Sequence, residues 1–257
     1  MLHPKIESLL RAQVARVASA KHARLPRLKL EKRDFALALR KKPFALIAEV
    51  KPSSPAQGVL RQDVNVGEVA AGMQLAGADA VSVLTEQTQF GGSLGNLAAA
   101  KLACSLPVLA KDFVVDEFQV AEAGAYGADA ILLIAEFLGE RLAEFIEMAK
   151  EEEMQALVEC FSREGLEVAA GAGAQIIGVN NRSFTDLSVD LGRTLALAPL
   201  VPRDCIFVSE SGISSRADVE RLLPCGVDAF LVGTSIMRSQ AAGGKIRELL
   251  GGQENAP

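Results

Sequence analysis

The chain has 257 residues, of which 49% are hydrophobic and 23% are charged, and its formal net charge at pH 7 is −5. This length suits one α/β barrel or two smaller domains, and the apolar content is enough for a large core. The negative charge argues against a nucleic-acid partner, because neutralising phosphates needs a basic face. No apolar run approaches the roughly 18 residues of a membrane span, so we expect no membrane partner either.

The cysteine and histidine residues favour neither a disulfide framework nor a metal site. Four cysteines are scattered along the chain without close pairs, which is not the spacing of disulfide-rich or zinc-binding proteins. We therefore expect reduced thiols in a cytoplasmic protein. His3 and His22 both precede the first apolar run, so no predicted strand ends in an imidazole and we predict no metal.

Residues 1–40 form an extension before the first apolar run. They combine a helical pattern of apolar residues with a basic stretch from Lys21 to Arg33. Two interpretations remain open for this segment. It is either a solvated amphipathic helix that caps the domain or a lid over the active site.

Eight short apolar runs alternate with helical stretches over the rest of the chain. The runs cover residues 45–51, 80–85, 107–113, 130–134, 156–159, 176–180, 206–210 and 229–233. Runs rich in valine, isoleucine and leucine are typical of parallel strands that are covered on both faces. In the last intervening stretch, Ser214 is predicted to cap the helix that carries Val219 and Leu222.

A glycine-containing turn recurs before several of these runs. It reads Gly77-Ala78-Asp79, Gly127-Ala128-Asp129, Gly173-Ala174-Gln175 and Gly226-Val227-Asp228. Glycine in the left-handed conformation closes the preceding helix. Eight such strand–helix units favour closure into a (β/α)8 barrel. We predict a single α/β TIM-barrel domain over residues 1–257, with a helical extension at 1–40 and the barrel at 45–250.

Chemically active side chains stand at the C-terminal ends of the runs. They are Glu49, Lys51, Lys111, Glu159, Asn180 and Glu210. In a parallel barrel these ends converge on one mouth, where active sites lie. Paired opposite charges in such a mouth shift each other's proton affinity, whereas desolvation and neighbouring lysines lower the pKa of a lysine. We expect the balance of these effects to leave a lysine usable as an acid near neutral pH. Cys160 follows Glu159 and should point to the opposite side, so we interpret it as a packing residue.

The loops after the seventh and eighth runs are predicted to bind phosphate. They contain Ser211-Gly212 and Gly233-Thr234, whose small side chains let backbone N–H groups approach an anion. Phosphate sites of barrel enzymes recur at these two loops. The glycines would also suit tight turns alone, but Lys51 at the same mouth favours phosphate. A side chain added at Gly233 is expected to fill the anion's place.

The segments described above resemble the indole-3-glycerol-phosphate synthase family of tryptophan biosynthesis. The matching segments span all eight runs in order: 47–51 with 53–55, 82–85 with 90–93, 107–113, 128–134, 157–159, 178–182, 209–213 and 231–233. The resemblance implies a carboxy-lyase without a cofactor. Its small phosphorylated substrate would be 1-(2-carboxyphenylamino)-1-deoxyribulose 5-phosphate, which closes a ring and loses CO2 and water. Protein partners stay unknown at this point.

The resemblance also implies roles for individual residues. Lys111 would be the general acid of ring closure and Glu159 the acid/base group of dehydration. Lys51 would hold the phosphate or carboxylate side, and which lysine acts at which step stays open. Orienting roles fall to Glu49, Glu210, Asn180 and Arg182. The implied substrate contacts are Ser54, Ser211, Gly212, Gly233 and Thr234, with Phe90, Phe113, Leu132, Phe184 and Leu231 around the aromatic ring.

One departure from the family pattern concerns the loop after the first run. The family usually reads Ser-Pro-Ser-Lys-Gly there, whereas this chain reads Ser54-Pro55-Ala56-Gln57-Gly58, with one hydroxyl and one positive charge fewer. Two other functional classes also fit the residues. A Schiff-base aldolase would use a lysine as nucleophile, and a non-catalytic barrel would bind a sugar phosphate without turnover.

Overall fold

The computed structural model describes residues 2–26, 28–41, 43–61 and 64–252, and within them the chain forms the predicted (β/α)8 barrel. The two ends of the predicted domain, Met1 and residues 253–257, lie outside the described residues. The barrel strands are β1 (Ala45–Val50), β2 (Ala80–Leu84), β3 (Val108–Lys111), β4 (Ala130–Ile134), β5 (Gln155–Cys160), β6 (Ile176–Asn180), β7 (Ile206–Glu210) and β8 (Ala229–Val232).

All eight strands are parallel, and the sheet closes because β1 pairs with both β2 and β8. At the closure, Ile47 lies opposite Ala80 on one side and Leu231 on the other. The third predicted run was too long at its C-terminal end, since β3 stops at Lys111. Asp112 then turns the chain, and its carboxylate accepts the N–H of Phe113 at 2.8 Å, which takes that N–H out of the strand ladder.

Twelve α-helices accompany these strands in the described residues. They are α1 (Pro4–Ala20), α2 (Phe35–Leu39), α3 (Val66–Leu75), α4 (Leu94–Ala103), α5 (Glu117–Ala125), α6 (Ala135–Leu138), α7 (Leu142–Glu151), α8 (Arg163–Gly171), α9 (Gly192–Leu197), α10 (Arg216–Leu222), α11 (Thr234–Arg238) and α12 (Ala242–Leu250). Short 3-10 turns cover Gly139–Arg141, Ala198–Leu200 and Leu223–Cys225, and a small antiparallel pair joins Ser53–Ser54 to Gly58–Val59.

The helix cap predicted at Ser214 is wrong by one residue. Ser215 is the N-cap of α10, because its hydroxyl accepts the N–H of Asp218 while the Asp218 carboxylate accepts the N–H of Ser215. This reciprocal pair satisfies two N–H groups that the first helical turn leaves unpaired. Ser214 donates to the same carboxylate from outside the helix.

The recurring glycine turn has two structural functions. Its four glycines all have positive φ, between +79° and +103°, which confirms the predicted left-handed helix ends. The aspartates that follow three of them accept an N–H from a neighbouring strand. Asp79 accepts from Leu46, Asp129 from Val108 and Asp228 from Phe207, each at 2.8–2.9 Å. The same short motif therefore ends a helix and sets the start of the next strand pair.

The apolar residues form two layers. One layer lies between the strands and the surrounding helices and includes Cys160, which confirms its packing position. The other layer fills the barrel interior and extends to both ends, with Phe35 and Leu39 of α2 at one end and Ile6 and Leu9 of α1 at the other. The N-terminal extension therefore contributes a plug at the N-terminal end of the barrel and a cover at its mouth.

The described helices include none that is both long enough and apolar enough to span a bilayer. The four cysteines, which all lie in the described residues, are free thiols.

Candidate active site

A cavity of about 510 Å³ opens at the C-terminal ends of the barrel strands. This volume suits a small molecule rather than a macromolecule. All seventeen residues that the sequence predicted for the site line it: Glu49, Lys51, Ser54, Phe90, Lys111, Phe113, Leu132, Glu159, Asn180, Arg182, Phe184, Glu210, Ser211, Gly212, Leu231, Gly233 and Thr234. Barrel closure brings them together from all eight strands or the loops that follow them.

Lys111 lies at the centre of a cluster of acidic side chains. Its Nζ donates to Glu159 Oε2 at 2.9 Å and to Glu210 Oε2 at 3.0 Å. Both carboxylates are buried, and the lysine side chain is 14% exposed. The three residues come from β3, β5 and β7, alternate strands whose inward-pointing side chains share one layer of the barrel.

The charges in this cluster shift one another's pKa in different directions. Burial alone would lower the pKa of Lys111, but the carboxylates of Glu159, Glu210 and Glu49 outweigh it and raise that pKa well above its usual range. Burial would raise the pKa of Glu159, yet Lys111 and Asn180 hold it below its usual value. For Glu210, burial and the neighbouring Glu159 prevail over Lys111 and raise the pKa to about 8.

These shifts correct one prediction about Lys111. The balance of desolvation, neighbouring lysines and paired charges was expected to leave a lysine pKa near neutrality, but for Lys111 the attraction to nearby carboxylates is the larger effect. The group whose pKa moves towards neutrality is instead Glu210, and burial raises this pKa to about 8.

Glu49 and Lys51 point to the same side of β1, as their spacing predicts. Their charged atoms lie 3.3 Å apart, and Lys51 Nζ lies 5.2 Å from the centre of the Phe90 ring. A side chain at Gly233 would overlap the Glu49 carboxylate. The missing side chain of Gly233 thus makes room for Glu49, and the expectation that a side chain there would fill the anion's place stays a prediction.

Asn180 connects Glu159 to the loop after β6. Its amide nitrogen donates to Glu159 Oε1 at 2.9 Å, and its amide oxygen accepts the N–H of Arg182 at 2.9 Å. The Arg182 guanidinium donates to the carbonyl of Leu187 at 2.7 Å, which holds the arginine along the cavity wall. Burial lowers the pKa of Arg182 without removing its charge.

The loops after β7 and β8 present backbone to the cavity. Ser211 and Gly212 have φ values of +66° and +85°. A side chain at Gly212 would also approach Val189 Cγ1 to 2.6 Å, so both the conformation and the available space require glycine there. The Ser235 hydroxyl donates to the carbonyl of Ile213 at 3.1 Å and ties the two loops together.

Aromatic rings form the apolar wall of the cavity. Phe113 lies between Phe90 and Phe184, with ring centroids 6.0 and 6.1 Å apart. Leu132 and Leu231 complete this wall from inside the barrel, and Ile6 of α1 covers it from above.

Comparison with known proteins identifies the family. A family model described as indole-3-glycerol phosphate synthase matches residues 4–249. The chain is 46% identical to the indole-3-glycerol phosphate synthase of Dehalococcoides mccartyi over 221 residues, covering 84% of this chain and 85% of that protein. It is 47% identical to indole-3-glycerol phosphate synthase 2 of Streptomyces coelicolor over 220 residues, covering 85% of each. The chain belongs to the indole-3-glycerol phosphate synthase family.

The activity of this family is a carboxy-lyase reaction of tryptophan biosynthesis. It converts 1-(2-carboxyphenylamino)-1-deoxyribulose 5-phosphate into indole-3-glycerol phosphate, CO2 and water. The substrate is a small phosphorylated molecule, in keeping with a cavity that has small-residue loops on one side and aromatic rings on another.

Solved structures of lower identity show the same fold. The 3-hexulose-6-phosphate synthase of Salmonella typhimurium matches with a TM-score of 0.65 and 18% identity, covering 80% of this chain and 96% of that chain. A mutant tryptophan synthase α-subunit of Pyrococcus furiosus matches with a TM-score of 0.61 and 17% identity, covering 80% and 98%.

Several residues that line this cavity were not predicted from the sequence, among them Ile6, Asp112 and Arg238. Ile6 lies in the N-terminal extension, and no local pattern indicates that its helix crosses the mouth. Asp112 could have been suspected because it follows Lys111. Arg238 lies four residues after Thr234, so the helical period places both on one face of α11.

Proposed function

We propose that Lys111 is the general acid of ring closure and that the ribulose carbonyl oxygen of the substrate receives its proton. The observation that carries this proposal is the position of Nζ, 2.9 and 3.0 Å from two buried carboxylates inside the cavity. The neighbouring carboxylates, with Glu159 as the largest contributor, raise the pKa of Lys111, so its ammonium form is the one that meets the substrate. The carbonyl oxygen becomes an alkoxide as the new bond forms, and an alkoxide is more basic than an amine. Proton transfer therefore becomes favourable as the transition state is reached.

The first steps form one carbon–carbon bond and break another. The aromatic carbon that bears the carboxylate attacks the carbonyl carbon, and the π electrons of the carbonyl take the proton of Lys111 to give a hydroxyl. The bond to the carboxylate then breaks, CO2 leaves, and its electron pair restores the aromatic ring. Preorganised charge at the carbonyl oxygen stabilises the first of these steps.

Glu159 is the acid/base residue for the loss of water. For this step Glu159 takes a proton from Glu210 and passes it to the departing hydroxyl. The proton that the adjacent carbon loses returns to Glu210 through the same pair, so both carboxyl groups end as they began, and Lys111 regains from solvent the proton it gave up. Glu159 itself has a lowered pKa and accepts hydrogen bonds from Lys111 and Asn180. The Glu210 carboxyl lies beside Glu159, and its pKa is raised to about 8, so it is the source of the proton that Glu159 passes on.

Lys51 and Glu49 act at the edge of the reaction centre. Lys51 binds the phosphate or carboxylate side of the substrate, which suits its place between Glu49 and the Phe90 ring. Glu49 Oε2 is buried and has no hydrogen-bond partner among the described residues, so it is available to a substrate hydroxyl. Asn180 and Arg182 position the substrate from the loop after β6.

The phosphate is held by backbone N–H groups of Ser211, Gly212, Gly233 and Thr234, with Ser54 as a further contact. Arg238 supplies a positive charge at this end of the cavity. It lines the cavity beside Ser235, and no ion-pair partner for it occurs in the described part of the chain. Arg238 thus compensates for Gln57, which stands where the family usually carries a lysine.

The substrate's aromatic ring lies against Phe90, Phe113 and Phe184, with Leu132 and Leu231 below it. Offset aromatic contacts and burial both favour this placement. The enzyme needs no cofactor or metal in this scheme. We also propose that it works in the cytoplasm as a single domain without nucleic-acid or membrane partners, which its free thiols and net charge of −5 support.

The proposal is tested by comparing Lys111→Met with Lys51→Met. Lys111→Met should lower kcat by about 10²–10⁴-fold, the range of a lost general acid. Lys51→Met should instead act mainly on KM, because it removes a substrate contact present before and during reaction. Near wild-type kcat in Lys111→Met would contradict the assignment. Borohydride trapping with substrate should label neither lysine, and a covalent adduct would favour the Schiff-base alternative.

A further inference from the structure

One buried amide joins the N-terminal helix to the residue that follows the proposed acid. Gln13 of α1 is 2% exposed, which is unusual for a polar side chain on a helix that covers the mouth. Its Nε2 donates to Asp112 Oδ1 at 2.7 Å. Asp112 follows Lys111 directly and lines the cavity. The contact therefore links the cover of the active site to its centre.

The Asp112 carboxylate fixes the C-terminal end of β3. Its Oδ2 accepts the Thr85 hydroxyl at 2.7 Å, and its Oδ1 also accepts the N–H of Phe113 at 2.8 Å. The N–H of Thr85 donates to the carbonyl of Lys111 at 3.0 Å. Asp112 thus holds the backbone on both sides of itself, and this backbone carries the Lys111 ammonium and the Phe113 ring.

The other end of the Gln13 amide is also bound. Its Oε1 accepts from Arg16 Nε at 3.0 Å, and the two terminal nitrogens of Arg16 donate to Glu122 of α5 at 2.8 and 3.1 Å. A side-chain amide can donate to a carboxylate and accept from a guanidinium at the same time, which an apolar or a singly functional charged side chain cannot do. Leucine at position 13 would leave both neighbours without that partner.

Helix α1 reaches the substrate cavity from this anchor. Its first turn brings Ile6 to the cavity wall, Lys5 Nζ donates to the carbonyl of Pro55 at 2.6 Å, and the N–H of His3 donates to the carbonyl of Phe184 at 2.7 Å. The start of the helix is therefore bound to the loop after β1 and to the loop after β6. Gln13 is its contact with the strand end that bears the acid.

We propose that Gln13 and Asp112 are positioning residues. Their hydrogen bond couples the docking of α1 over the mouth to the position of the Lys111 ammonium in the cavity. This inference rests on the proposed role of Lys111 as the acid. When the bond is present, the cover is closed and the ammonium lies in reacting position. When it is lost, both the apolar wall and the acid are displaced together.

The first test is Gln13→Leu, with Val14→Ala as the matched control on the same helix. Val14 is 58% exposed and has no part in the hydrogen bonds of Gln13 with Asp112 and Arg16. Gln13→Leu should lower kcat by about tenfold or more, because misplacement of a catalytic group by about 1 Å costs up to ~10²-fold. KM should also rise, since Ile6 leaves the wall, whereas Val14→Ala should resemble wild type in both. Rates are measured well below the unfolding transition of each variant. Unchanged kcat with a lowered Tm would overturn the inference and leave Gln13 a stabilising residue only.

A double-mutant cycle separates this inference from the proposed function. In the Lys111→Met background, Gln13→Leu should cause no further loss of kcat, because the ammonium that Gln13 positions is already absent. If the loss of kcat in the double variant equals the product of the two single losses, the coupling is overturned and the acid assignment is left intact. A fully active Lys111→Met single variant would instead overturn the acid assignment.

A third variant gives a signature that a merely structural role would not. Gln13→Glu places a second carboxyl against Asp112, whose own pKa burial already raises to about 6. The charged groups around this pair are Arg16, Glu86, Glu122 and Lys111. At low pH one proton shared by the pair restores a hydrogen bond, and at high pH two charges repel. The kcat of Gln13→Glu relative to wild type should rise as the pH falls from about 8 to about 6. A ratio that does not change with pH would contradict the proposed bond.

Discussion

Replacing Gly178 by alanine should disable Glu210 without changing any charged residue. Gly178 lies on β6 beside β7, and its missing side chain leaves the space that the Glu210 carboxylate occupies. An alanine Cβ would overlap Glu210 Oε1 and lie 3.3 Å from Leu157 Cδ1. Leu157 is fully buried and cannot give way, so the carboxylate must move.

The size of the effect follows from these contacts. Ordinary contact between heavy atoms is about 3.5 Å, so Oε1 must shift by about 1 Å or more. Glu210 Oε2 now lies 3.0 Å from Lys111 Nζ, and a shift of that size breaks the bond. We expect kcat to fall by about 10²-fold, as for other misplacements of this size. Overpacking of a core costs about 1–3 kcal/mol, and each kcal/mol lowers Tm by about 2–4 °C in a chain of this length.

The assay is the appearance of indole fluorescence from the product. The chain has no tryptophan and one tyrosine, so the protein background is low. Gly171→Ala on α8 is the matched control, because a side chain there meets no atom within 4 Å. It should keep wild-type kcat and Tm or gain slightly in stability. Wild-type kcat in Gly178→Ala would refute the argument, since it would show that Glu210 does not need its present position.

Three further predictions concern the same cavity. Glu159→Gln should lower kcat while KM stays within a few fold of the wild-type value. Rapid quench should then detect a species that has lost CO2 but not water. A raised KM with unchanged kcat would make Glu159 a binding residue. Because the pKa of Glu210 is about 8 against an ordinary 4.5, the folded protein keeps a proton that the unfolded chain releases, so the free energy of unfolding should fall as the pH rises between these values and then level off. The kcat should fall through the same upper pKa, and Glu210→Gln should remove both dependences relative to wild type; identical pH profiles would count against a protonated Glu210. Inorganic phosphate should inhibit competitively, and Gly212→Ala should weaken that inhibition through its clash with Val189, whereas an unchanged inhibition constant would place the phosphate elsewhere.

The barrel and its order of strands follow from local properties of the sequence. Continuous apolar runs specify strands that are buried on both faces, and the glycine turns between Gly77 and Asp228 end helices wherever they occur. Parallel closure then brings every strand end to one mouth. This is why Lys111, Glu159 and Glu210 could be grouped from residues up to 99 positions apart in the chain.

The tertiary structure alone decided how these groups are arranged. The pKa of each group depends on distances across the barrel and on burial. The sequence therefore led us to expect a lysine with a pKa near neutrality, whereas in the folded barrel the pKa of Lys111 is raised and burial raises that of Glu210 to about 8. The role of Gly233 likewise depends on the neighbouring β1 side chain, and that of Gln13 on a helix that docks 99 residues away in sequence. Backbone preferences are local and can be read from neighbours along the chain. Side-chain contacts between strands and the docking of α1 depend on register and packing, which exist only in the folded barrel.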